Sequence, residues 1–158
     1  MMAKSNVKLD YNELKMFKEQ IEQISDPTEV DLFLTSCAKE LGARLLAKVI
    51  KRTPVGQYPK GSGKVGGTLR RGWTGGKNAN GSAYANSLPV NKVGNDYVIE
   101  IINPVEYASY VEFGHRTRNH KGWVEGHFML TISEDEIRKS APKILEKKLK
   151  KYLEGCFK

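Results

Sequence analysis

Apolar residues recur at three- and four-residue steps in separate stretches of the chain, and each recurrence predicts a helix. Leu14, Phe17, Ile21 and Ile24 line one face of a short helix in an N-terminal helical extension over 1–25, with Lys15, Lys18, Glu19 and Glu22 on its wet side. Asp26-Pro27 then offers an N-cap and a residue suited to the first helical position, with Glu29 in the first turn. The stripe Val30, Phe33, Leu34, Cys37, Leu41, Leu45 and Val49 predicts a helix over 27–52. Thr53-Pro54 ends it, because proline disfavours helical backbone in the residue before it. Ile137, Ala141, Ile144, Leu145, Leu149, Tyr152, Leu153 and Phe157 predict a C-terminal helix over 128–157. Ser133-Glu134-Asp135-Glu136 reads as a capping box, so that helix begins there or one turn earlier, and Pro142 should kink it.

Between these helices the pattern changes. Residues 54–67 carry five glycines and two prolines and predict a long, mobile, basic loop. Residues 68–103 predict a sheet region: extended runs at Thr68–Thr74 and Ala83–Val93 flank the glycine-rich piece Gly75–Gly81, and Gly94-Asn95-Asp96 turns into the β-branched run Tyr97–Ile102, expected as the central strand. Tyr107, Tyr110, Val111 and Phe113 stand at helix-like intervals in a short helix over 105–114, with Tyr107, Tyr110 and Phe113 expected in the core beside Trp73. Gly114 ends it, His115–Gly122 is a charged loop, and Trp123–Leu130 returns to an apolar surface. The fold class this predicts is α+β, one domain over 1–158, with an antiparallel β-sheet packed against N-terminal and C-terminal helices and long basic glycine-rich loops.

Length agrees: 158 residues suffice for one self-supporting core, and a 39% apolar content is globular when clustered in periodic runs. No run approaches the roughly 18 apolar residues of a bilayer span, and Met1–Asp10 lacks the apolar stretch of an export signal, so no membrane is expected and the protein should stay in the cytoplasm unless a particle carries it out. Cys37 and Cys156 have neither disulfide-framework nor zinc spacing and read as reduced, buried or bystander thiols. The formal charge of +8 is uneven: Lys39, Arg44, Lys48, Lys51, Arg52, Lys60, Lys64, Arg70, Arg71 and Lys77 face only Glu40. This basic block, 39–77, suits either phosphate or an acidic protein surface.

Candidate chemistry is sparse. Gly61-Ser62-Gly63-Lys64-Val65-Gly66-Gly67 imitates a phosphate loop, but Val65 stands where a magnesium-binding Ser or Thr is needed, and a helix precedes it where the motif requires a strand. His115, His120 and His127 with Glu112 and Glu125 fit no closed metal site, and Arg116, Arg118 and Lys121 would repel a cation, so surface or interface histidines are the expectation. No nucleophile elbow or apolar pair of carboxylates stands out. We therefore expect no enzyme, metal or cofactor. Tyr58, Trp73 and Tyr84 within the basic block are raw material for single-strand nucleic-acid binding, although Trp73 flanked by solvated arginines also suits a core position.

Thr53-Pro54-Val55-Gly56, followed by Gly67-Thr68-Leu69-Arg70-Arg71-Gly72-Trp73, resembles the tail-completion family of long-tailed phages, the gene-product-ten-like minor tail or head-tail joining proteins. Tyr107-Ala108-Ser109-Tyr110-Val111-Glu112-Phe113-Gly114-His115-Arg116 is similar to a second block of that family. Trp123–Leu130 is similar to its lead into the last helix, particularly in the defective-prophage branch. Two departures stand out: Gln57–Gly66 is inserted where the family turns quickly, and Gly126-His127 replaces a common proline. The resemblance implies a structural protein at the head-tail junction that completes the tail and joins it to the head. It further implies a hexameric ring, with the head connector or stopper and the tail tube proteins as partners, made in the bacterial host cytoplasm and carried in the virion. On that reading Lys60, Lys64, Arg70, Arg71, Arg116 and Arg118 lie at subunit or partner contacts, or face DNA passing through the lumen. The alternative is a nucleic-acid-binding module using the block 39–77.

Overall fold

The computed structural model describes residues 15, 16, 18, 19, 22, 23, 26–76 and 80–156. The expected stripe Leu14, Phe17, Ile21 and Ile24 lies outside these residues, as do Lys77 and Phe157. Helix α1 (Pro27–Arg52) begins where Asp26 accepts the Thr28 N–H at 2.9 Å. It ends where Thr53 turns extended ahead of Pro54. Then follow α2 (Thr68–Gly72), α3 (Gly81–Ser87), β1 (Val90–Val93), β2 (Asp96–Ile99), α4 (Ala108–Phe113), β3 (Gly114–Arg116), β4 (Trp123–Glu125) and α5 (Met129–Cys156). The fold is α+β: long helices carry the core, and the strands form two small antiparallel pairs, β1–β2 and β3–β4.

Helix α1 is the spine, packing against α3, α5 and β2. Leu46, Val49, Leu69, Trp73, Ala85 and Met129 form the core, and fully burying side chains such as Leu46, Val49 and Met129 stabilises the fold by roughly 1.5–3 kcal/mol each. Close approach needs small residues. A Cβ on Gly81 would lie 3.0 Å from the Leu46 Cβ, and one on Gly42 would lie 3.0 Å from Ile99 Cδ1. At the far end of the β1–β2 hairpin, Tyr97 donates its hydroxyl to Asp31, and Lys92 stands 3.6 Å from the same carboxylate. That bond to Asp31 pushes the Tyr97 phenol up.

Two expected strands are helical in whole or in part. Thr68–Thr74 contains α2 because Leu69 and Trp73 are four residues apart: a helix puts both on one buried face, whereas a strand with Leu69 and Trp73 inward would also bury Arg71. Ala83–Val93 splits into most of α3 and β1, since the Asn80 side chain accepts the Ala83 N–H at 2.7 Å and starts a helix behind the glycines. The run expected as a central strand, Tyr97–Ile102, pairs only as far as Ile99, in a hairpin closed by Gly94-Asn95 with Gly94 at φ 61°. Ser133 lies one turn inside α5, fully buried, and α5 runs continuously through Pro142.

Candidate functional site

The threonine-proline turn and the tryptophan segment meet at a buried polar hub. The Thr53 hydroxyl donates to Val49 O at 2.6 Å and accepts the Trp73 indole N–H at 2.8 Å. The Thr53 carbonyl accepts both Nε (3.3 Å) and Nη2 (2.7 Å) of Arg70. One residue thereby fixes the end of α1 against α2. Next to it, Arg52 reaches the Ser133 hydroxyl at 2.7 Å and Glu136 at 2.7 Å, while Lys48 reaches Glu136 at 2.9 Å. The Lys48 ammonium first, then the Arg52 guanidinium, hold the Glu136 carboxyl below its usual range.

The second motif block builds the start of α5. Glu112 is buried, and its carboxylate accepts the N–H groups of Leu130 (2.9 Å) and Thr131 (2.8 Å) and the Thr131 hydroxyl (2.6 Å). It is the N-cap of α5 supplied from another element, favoured also by the positive end of the helix dipole. The approach is tight: a Cβ on Gly126 would sit 2.3 Å from Glu112 O, and one on Gly114 would sit 2.4 Å from Val124 O. The His127 N–H donates to Val111 O at 2.7 Å, a bond that proline at this position would forfeit.

What this framework holds outward is aromatic. Tyr110 (59% exposed), Phe113 (61%) and Trp123 (54%), expected in the core or on an apolar surface, stand in solvent with Tyr107 and Phe128. Phe113 and Phe128 meet edge to face at 6.5 Å between centroids, and Tyr110 lies 5.7 Å from the His115 ring. His115 Nδ1 is buried without a hydrogen-bond partner. Exposed apolar area of this kind makes the surface a candidate interaction site. The sequence expectation failed because α4 turns Ala108, Val111 and the buried Glu112 inward, while its aromatics take the other side.

The predicted contact residues divide. Arg116 and Arg118 are exposed at the β3–β4 hairpin beside the aromatic surface. Its tip is locally ordered, with Thr117 bonded to Gly122 at 3.0 Å and to Asn119 at 2.6 Å. Lys60 and Lys64 are exposed in the 54–67 loop, with Lys64 placed 5.8 Å from the Tyr58 ring centre. A Cβ on Gly66 would meet Gly56 O at 2.0 Å, so the loop closes at its base and Gln57–Val65 projects as an Ω-like lobe. That lobe takes up most of Gln57–Gly66, the segment expected as an insertion. A cleft of about 300 Å³ lined by Tyr58, Val65, Tyr107 and Val111 joins it to α4. Arg70 and Arg71 are turned to backbone carbonyls, Arg70 to Thr53 and Arg71 to Gly66 at 3.3 Å. The described residues of the basic block are accordingly not one face.

Among the described residues no group of three or more His, Cys, Asp or Glu side chains stands where it could hold a metal ion, and no helix is long and apolar enough to cross a membrane. Cys37 and Cys156 are free thiols, and burial pushes the Cys37 thiol up. In comparison with known proteins, the family model described as "Bacteriophage HK97-gp10, putative tail-component" matches residues 15–114. No curated protein and no solved structure matches the chain.

Proposed function

The chain belongs to the HK97-gp10-like family of bacteriophage tail components, and from that premise we propose that it acts at the head-tail junction, completing the tail end and joining it to the head connector. The observation that carries the reading is the exposed aromatic surface of Tyr110, Phe113, Trp123 and Phe128, held on one rigid unit by Glu112 and the start of α5. Covering such surface is favourable by about 25 cal/mol per Å². Arg116 and Arg118 beside it steer an acidic partner and set the register of docking. The projecting lobe with Lys60 and Lys64 supplies a second contact, and its closed base lowers the entropy lost on docking. The partners are other copies of the chain in a ring, hexameric as the family resemblance implies, together with the head connector and the tail tube. The role is structural rather than catalytic, with assembly in the host cytoplasm and residence in the virion.

Charge reversal tests it. Arg116→Glu with Arg118→Glu should leave the melting temperature unchanged, since both side chains are exposed and neither makes an ion pair or side-chain hydrogen bond among the described residues, yet should abolish joining of heads to tails in complementation. Intact infectious virions from the double variant would contradict the proposal.

A further inference from the structure

Helix α5 packs on α1 through the stripe that includes Ile144 and Lys148, and Lys148 closes on Glu40 at 2.8 Å. The neighbouring stripe carries Lys143, Lys147 and Lys151, spaced four residues, about 6 Å, apart along the helix. All three are exposed, and none pairs with an acidic side chain among the described residues. Glu146 and Glu154 follow Lys143 and Lys151 by three residues, yet neither closes an ion pair with the row among the described residues, and the lining of the groove keeps a net positive charge. Arg44 faces the row from α1 across an open groove of about 530 Å³. Glu40, the one carboxylate lining it, is already engaged by Lys148 at 2.8 Å and Arg44 at 3.1 Å. The groove is thus a concave, cationic track.

We infer that this α1–α5 groove, lined by Arg44, Lys143, Lys147 and Lys151, binds the phosphate backbone of duplex DNA. A regular row of cations about 6 Å apart along a helix matches a polymer with evenly spaced charge, such as the phosphates of a DNA strand. No aromatic side chain lines the groove, so the stacking platform on which single strands are held is missing there and the duplex backbone is the ligand it fits. Binding of this kind reads no base sequence. The groove shares no residue with the aromatic surface, and the inference stands apart from the role proposed at the junction.

The test is fluorescence anisotropy of a labelled duplex of random sequence with the full chain, across a range of salt. Lys143→Gln, Lys147→Gln and Lys151→Gln together should weaken binding roughly tenfold or more at low salt and reduce the slope of log affinity against log salt by about 3. A charge-matched variant, Lys51→Gln, Lys92→Gln and Arg138→Gln, should retain most of the affinity. Equal losses in the two variants would reduce the effect to net charge and overturn the site. So would absence of duplex binding at low salt, or groove-dependent binding of polyglutamate without DNA, which would assign the groove to an acidic protein. Circular dichroism melts confirm that each variant is folded.

Discussion

Thr53 donates one hydrogen bond, accepts another through its hydroxyl, and presents its carbonyl to Arg70. Thr53→Val keeps the shape but leaves the buried Trp73 N–H without an acceptor, which should cost about 1–3 kcal/mol in urea unfolding. A loss under a few tenths of a kcal/mol would show that the hub is dispensable. Glu112→Ala removes the acceptor for two helix-start amides, and about 1–2 kcal/mol should be lost by the same measurement. The residues of both motif blocks were visible in the sequence, and so was the helix end that Thr53-Pro54 imposes. The Glu112 cap was not: it acts across 18 positions, on a helix whose start looked self-capped by Ser133. The bond from Arg70 to the Thr53 carbonyl, 17 residues upstream, was likewise invisible in the sequence.

At the scale of elements, periodicity served where it was long and failed where it was short. The stripe from Val30 to Val49 spans many turns and fixes one helix, α1. Thr68–Gly72 is little more than one turn, and there Leu69 and Trp73 fit a strand's alternation as readily as a helix's step of four. Ion pairs add to the apolar packing of α5 on α1, and their pH dependence has a definite sign. Glu136 and Glu40 are held below the ordinary carboxylate range, by Lys48 then Arg52 and chiefly by Lys148, respectively. Their contribution is therefore complete above the unfolded-state value of about 4.3 and is lost as pH falls through the lower folded-state values. Thermal melts should drop in that acidic window, and Glu40→Gln with Glu136→Gln should lower the melting temperature at neutral pH while flattening the acid dependence. An unchanged acid profile in the double variant would remove these pairs from the account. Gly114→Ala, with φ 85° and a Cβ 2.4 Å from Val124 O, should disrupt the hairpin and lower the melting temperature.

At the scale of the molecule, the α1–α5 body carries an exposed aromatic surface, a basic hairpin and a projecting lobe, the features on which the proposed docking rests. The sequence predicted a structural phage protein through its motif blocks, but it placed the motif aromatics inside, because burial depends on which helix face meets α1 and α5. Phe113→Ser with Trp123→Ser should therefore raise solubility without a large fall in melting temperature, and should prevent assembly; unfolding would mean that these rings belong to the core. The central claim is the place of action. Electron microscopy of particles released after inducing the parent phage or prophage with this gene deleted tests it most directly. The account predicts filled heads lying apart from tails, or tails of abnormal length, with joining restored by the intact gene. Normal joined particles in the deletion would contradict it.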